Sequence, residues 1–179
     1  MKKDNPFKLD VVSVRLVKDA PILSKNNLTN PKEVVATLGE VMSQFDREVV
    51  AVVNLKADLT PINVHFASIG AINEAMAHPR EILKASILSN AASIMLIHCH
   101  PSGNLLPSKS DTMMTDRMNK VCELIGIPLV DHLIVGGDNK QYFSYKEKGL
   151  IQNPHIVLST DYKTMTMGTG MVAEQRKGR

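Results

Sequence analysis

His98 and His100 close the run Ser-Ile-Met-Leu-Ile-His-Cys-His over residues 93–100. In a strand, residues two apart share a face, so both imidazoles can reach one point while Cys99 faces away. Such a pair chelates. The loop from Pro101 to Pro107 turns the chain back, and Ser108 with Asp111 three residues on has the form of a capping box opening a helix. A carboxylate in that first turn lies near the mouth of the preceding strand, placed to be a third ligand. Two imidazoles and one carboxylate leave a tetrahedral zinc ion one open position for water, which marks a catalytic rather than a structural site. Singly, each residue has a plainer explanation: strand-end histidines can be hydrogen-bonded structure, and Ser108 with Asp111 can be a cap worth about 1 kcal/mol. Together they form a long pattern with little freedom, and the ligand types favour Zn2+.

The arrangement His98-x-His100, seven residues, Ser108, two residues, Asp111 resembles the metal motif of the JAMM (JAB, MPN-plus) metallopeptidase-like domain. With Pro101-Ser102-Gly103 after the second histidine it is similar to the RadC branch in particular. The stretches His78 to Ile82, Asp131 to Val135 and Phe143 to Gly149 extend the likeness, which runs from about Asn30 to Ile151. Two departures stand out. Cys99 occupies a position where Asn is common, and the N-terminal helix-hairpin-helix region of full-length members has no counterpart in the few residues before the domain.

The resemblance implies roles that the metal motif alone lacks. Attack on an amide carbonyl needs a base beside the water that zinc acidifies to a pKa of about 7. The JAMM pattern places a general-base glutamate at the start of a strand upstream of the histidines, a position that Glu48 fills here. A solvated residue in the Asp46-Arg47-Glu48 turn is the plainer reading of that glutamate. Glu81 competes, but it suits the first turn of a helix; Glu74 matches nothing. Ser108 is implied as the donor to the developing oxyanion, an effect of about 2.7 to 4 kcal/mol where such donors are removed. Capping explains it too. His132 reads as a hydrogen-bonded core or supporting group, and His65, His78 and His155 as structural or solvated. Cys99 reads as a small buried side chain.

The elements that must hold these residues follow from periodicity. Leu9 to Val17 suggests a strand and Pro21 to Asn30 a loop, together an N-terminal strand and linker over residues 1–29. Asn30 as cap, Pro31, and Val34, Val35, Leu38, Val41 and Met42 at helical spacing predict a helix ending near Phe45. Glu48 to Leu55, apolar on both faces, reads as a central strand, paired with Pro61 to Ser68. Gly70 to Ala77 connects, with room for a short helical piece. A helix from His78 to about Asn90, the strand of the two histidines, and a helix from Ser108 to Ile125 follow. The apolar stripe of that last helix is Met114, Met118, Val121, Cys122 and Ile125, and Gly126 stops it. Pro128 to Val135 and Gln141 to Ser144 are strands joined by a turn at 136–139, and Tyr145 to Gly149 reads as a short closing helix. The domain so defined covers residues 30–151. Residues 152–179 form a C-terminal extension, with a possible strand at His155 to Leu158 and a mobile end from Met165. The sum is an α/β fold, a three-layer αβα sandwich around a mixed sheet. The resemblance implies its cytidine-deaminase-like, JAMM form.

The 179 residues suffice for one domain with a proper core. An apolar fraction of 44% with 22% charged is that of a globular protein, and the net charge of +3 is mild. Cys99 and Cys122, the only two cysteines, give no disulfide framework. No apolar run reaches membrane-spanning length and no signal peptide is indicated, so a cytoplasmic protein is expected.

The first functional expectation is a zinc hydrolase cutting a peptide or isopeptide bond, with a peptide or protein as substrate. The alternative is a RadC-like accessory protein of DNA repair or mobile elements whose metal is not used for proteolysis. DNA contact lacks a dense basic patch or an aromatic platform, with 4% aromatics and no Trp. A zinc nucleobase deaminase would need H-x-E and P-C-x-x-C, which are absent.

Overall fold

The computed structural model describes residues 11–23, 31–70, 77–136 and 141–151, together with short strands at 166–167 and 170–171. The domain begins with α1, Pro31–Met42, whose Val34, Val35, Leu38 and Met42 are buried. The strands β1 (Val49–Leu55) and β2 (Pro61–Ile69) follow as an antiparallel pair. Next come α2 (Pro79–Leu88), β3 (Ser93–Cys99), α3 (Lys109–Leu124), β4 (Leu129–Val135) and β5 (Tyr142–Ser144). In space the strands run β2-β1-β3-β4-β5, with β3 parallel to β4 across α3 and the other pairs antiparallel.

Every residue of β1 and β3 is buried, as the unbroken apolar runs require. The odd residues Val49, Ala51, Val53 and Leu55, with Met95, Ile97 and Cys99, pack under α1. The even residues Val50, Val52, Ile94 and Leu96 pack under Ile82 and Leu83 of α2 and Met118 and Cys122 of α3. The protein is therefore an α/β sandwich of three layers, with α1 on one face of a mixed sheet and α2 and α3 on the other. Burying each large apolar side chain contributes about 1.5–3 kcal/mol.

Several expectations change. Residues 11–17 form no strand, and Val11, Val12, Val14 and Val17 are at least two-thirds exposed; valine content favours a strand only where a partner covers it. β1 is a central strand as expected, paired with β2 on one side and β3 on the other. Residues 145–149 form a turn and not a helix: Gly149 has φ +70° and Leu150 N–H returns to Tyr145 O. Of the α3 stripe, Met118 and Cys122 are buried and Met114 and Val121 pack half-buried against the same core, as expected, but Ile125 is 40% exposed, and Asp111 and Thr115 share the buried face. The cap at Asn30, the helical piece within 71–76, the turn residues 137–139 and the strand at His155 to Leu158 lie outside the described residues. Of the C-terminal end, only the two-stranded ribbon of β6 (Thr166–Met167) and β7 (Gly170–Met171) is described.

Candidate metal centre

The register of β1 against β3 assembles the site. Val49 pairs with Cys99 and Val50 with His98, so Glu48, one residue before β1, stands at the level of His100. Side chains alternate along a strand, which puts Glu48, His98 and His100 on the α2/α3 face and Cys99 on the α1 face. α3 returns over that face and delivers Asp111 from its first turn.

His98 sits between two carboxylates. Its Nε2 donates to Glu48 Oε2 at 3.3 Å, and its Nδ1 is 3.1 Å from Asp111 Oδ1. The second contact is out of line for N–H donation, so Nδ1 is a buried nitrogen without a hydrogen-bond partner. With the ring proton on Nε2, that nitrogen presents a lone pair to a carboxylate. His100 repeats the arrangement. Its Nδ1 lies 2.6 Å from Asn104 O, which can only accept, so Nδ1 carries the proton of the neutral ring and Nε2, bare in that form, faces Asp111 Oδ2 at 3.5 Å. The rings meet edge to face with centroids 4.6 Å apart.

Asp111 is fixed from its own helix. Ser108 N–H donates to Asp111 Oδ2 at 2.7 Å, and Asp111 N–H donates to Ser108 Oγ at 3.1 Å, completing the capping box. Ser108 Oγ also shares a hydrogen bond with Ser110 Oγ at 2.9 Å. Burial by itself would raise the Asp111 carboxyl, but His100, His98 and the Ser108 hydroxyl and amide overcome it and hold the group well below the usual carboxylate range. His100 is correspondingly raised, chiefly by its bond to Asp111, with burial opposing.

A supporting layer lies behind His98. His132, fully buried on β4, is parallel to the His98 ring with centroids 6.2 Å apart and stacks on Tyr145 at 5.1 Å. Thr115 Oγ1 donates to Asp111 O at 2.7 Å and lies 2.7 Å from His132 Nδ1. Its one proton being committed, His132 Nδ1–H must donate to it, and Nε2 is left without a partner. Burial, then the charge of His98, pushes His132 down to about 3, so it stays neutral. Asp131 ties down the following turn: Ser144 Oγ donates to Oδ2 at 2.6 Å and Lys146 N–H to Oδ1 at 3.0 Å.

Glu48, His98, His100, Ser108 and Asp111 thus converge, with the Glu48 side chain 18% exposed and those of His98 and Asp111 1% and 7%. Among the described residues, the set whose ligand atoms all lie within 4.8 Å of one another is Glu48, His98 and His100; Asp111, held by the Ser108 amide, stands beside it. The competitor Glu81 pairs with Lys84 at 2.7 Å in the first turn of α2, and Glu74 lies outside the described residues. His65 is exposed, and His78 caps α2. The sequence reading missed Asn104, Thr115 and Tyr145. Only Thr115 carried a signal, since four residues after Asp111 it shares a helix face.

In their neutral forms the two imidazoles turn bare nitrogens on one ionised carboxylate, a repulsion that a positive charge among them relieves, either a ring proton, to which the raised His100 corresponds, or a metal ion. This donor set fits a divalent metal, and two nitrogens with carboxylate oxygen suit zinc among the choices. A cleft of about 760 Å³, lined in part by Glu48, His100, Ser108 and Asp111, gives access.

Residues 28–150 match the family model described as RadC-like JAB domain. A UPF0758 protein of Clostridium beijerinckii is 40% identical over 124 residues, 69% of this chain and 53% of its own. A UPF0758 protein of Moorella thermoacetica is 37% identical over 129 residues, 72% of this chain and 56% of its own. One from Methanosarcina acetivorans is 32% identical over 128 residues, 72% and 55% of the two chains. The chain spans about half the length of the curated relatives it matches. No helix among the described residues is long and apolar enough to cross a membrane.

Proposed function

This chain belongs to the RadC-like JAB domain family, and from that premise we propose that it is a zinc-dependent hydrolase of JAMM type acting on a peptide or isopeptide bond. The reading rests on one observation above the others: Glu48, His98 and His100 bring ligand atoms within 4.8 Å of one another, with Asp111 at 3.1 and 3.5 Å from the two imidazoles.

In this reading His98, His100 and Asp111 hold the metal and Glu48 is the base. The division follows burial, because the Asp111 side chain is 7% exposed and that of Glu48, lining the same cleft, 18%. Zinc, when bound, supplies Lewis acidity and an acidified water. Glu48 accepts the proton of the attacking water at a carboxylate oxygen and delivers it to the leaving nitrogen. Ser108 Oγ, which lines the same cleft, donates to the carbonyl oxygen as charge grows there. Asn104 and Thr115 keep His100 and His132 in single tautomers, so the ligand geometry needs no reorganisation during the reaction.

The test is Glu48→Gln. Amide hydrolysis should fall by about 10²–10⁴-fold, the usual worth of a general base, while metal content stays at the parental level. A fully active variant would remove Glu48 from its role.

A further inference from the structure

Away from the metal ligands the cleft changes character. Ser110, Met113, Met114 and Arg117 of α3 all line it, and their spacing of three, four and seven residues makes them one stripe of the helix beside Asp111. Leu106 and Pro79 complete an apolar wall. Leu106 and Met113 are 70% and 62% exposed, large apolar side chains that the fold leaves uncovered at the mouth of the site.

Two donors are set into that wall. Among the described residues, Arg117 is the one lysine or arginine lining the cleft, is exposed, and makes no ion pair. His78 is the other. Its Nδ1 accepts from the backbone N–H and Nε of Arg80 at 3.2 and 3.3 Å, so its ring proton sits on Nε2, an N–H donor. Among the described residues, the carboxylates lining the cleft are Glu48 and Asp111, both at the metal end. The lining is therefore acidic where a cation and the scissile bond belong, and apolar with a positive donor beyond.

Resting on the hydrolase reading above, we propose that this cleft selects a peptide segment in which an apolar side chain adjoins a carboxylate. The apolar side chain lies against Met113, Met114 and Leu106. The carboxylate is bound by the Arg117 guanidinium, assisted by His78 Nε2–H, a charge-assisted contact.

Fluorescence anisotropy on the zinc-loaded full chain carrying Glu48→Gln measures binding without turnover. Four fluorescein-labelled peptides serve as probes: Ala-Ala-Leu-Glu-Ala amide, Ala-Ala-Leu-Gln-Ala amide, Ala-Ala-Leu-Gln as the free acid, and Ala-Ala-Asn-Glu-Ala amide. The Leu-Glu probe, the free acid or both should bind about tenfold tighter than the Leu-Gln amide. Which of the two does so tells whether a side chain or a C-terminus supplies the carboxylate. Arg117→Gln, a surface change, should abolish that preference, and the Asn-Glu probe should bind about tenfold more weakly than Leu-Glu. Equal binding of all four probes, a preference that survives Arg117→Gln, or no binding of any probe overturns the proposal. Metal content and turnover of the parent are separate readouts. Their loss with the carboxylate preference intact would sink the hydrolase reading alone, and the reverse would sink only this one.

Discussion

Gly103 and Gly136 meet backbone to backbone: a Cβ placed on Gly136 would stand 2.9 Å from the Gly103 carbonyl oxygen and 3.1 Å from its Cα. Gly103 itself has φ +76°, so the loop after the histidines is fixed both by a left-handed glycine and by its seat on the end of β4. That loop carries Asn104, whose carbonyl sets the His100 tautomer. Gly136→Ala should therefore push the loop outward, costing about 1–3 kcal/mol and weakening metal binding as well. Thermal unfolding and a zinc titration check both; unchanged values would mean the contact does not hold the loop.

Thr115→Val should cost about 1–3 kcal/mol, because it leaves the buried His132 Nδ1–H without an acceptor while nearly preserving shape. Thr115→Ser, which keeps the hydroxyl, should recover most of that. Urea midpoints of the two variants decide the point, and equal losses would contradict the assigned hydrogen bond.

Metal-free protein should be most stable near pH 6.5, the ordinary histidine value. His132 is depressed to about 3, so the unfolded chain binds more protons below pH 6.5 and stability falls as pH drops toward 3. His100 is raised by Asp111, so its contribution is complete below about pH 6.5 and is lost as pH rises through its folded value. Asp111, depressed in the folded state, adds a further loss below its unfolded value of about 3.9. The Asp111 and His100 shifts describe one interaction seen from both partners. Urea unfolding of chelator-treated protein from pH 4 to 9 should give this maximum, and His132→Gln should flatten its acid side. A profile rising steadily to pH 9 would be inconsistent with the His100–Asp111 pair.

The domain's main elements were legible because β1, β3 and α3 announce themselves locally, by apolar runs and by the Ser108–Asp111 box. His98 and His100 were legible because strand parity is strict. What sequence alone could not supply is register: that Val49 pairs with Cys99, and so brings Glu48 level with His100, is a property of two segments 50 residues apart. The same holds for His132 behind His98 and for the Gly103–Gly136 contact. Residues 11–17 failed in the opposite sense, since valine spacing reports only a preference for a covered strand, and no described neighbour covers these residues.

Both thiols should be inert in the folded protein. Burial pushes Cys99 up to about 11, with the Glu48 charge adding to it, and burial pushes Cys122 up to about 12. A disulfide reagent at pH 8 should modify neither native residue and both after unfolding. Rapid native labelling of Cys99 would mean that it does not face the α1 core.

The metal content of purified protein, measured by atomic emission after exposure to zinc and removal of free ions, bears most directly on the centre described here. We expect about one zinc per parent chain and less than a tenth of that in His100→Ala, with the fold retained by circular dichroism. A parent that retains no metal, or a His100→Ala variant that retains as much as the parent, would contradict it.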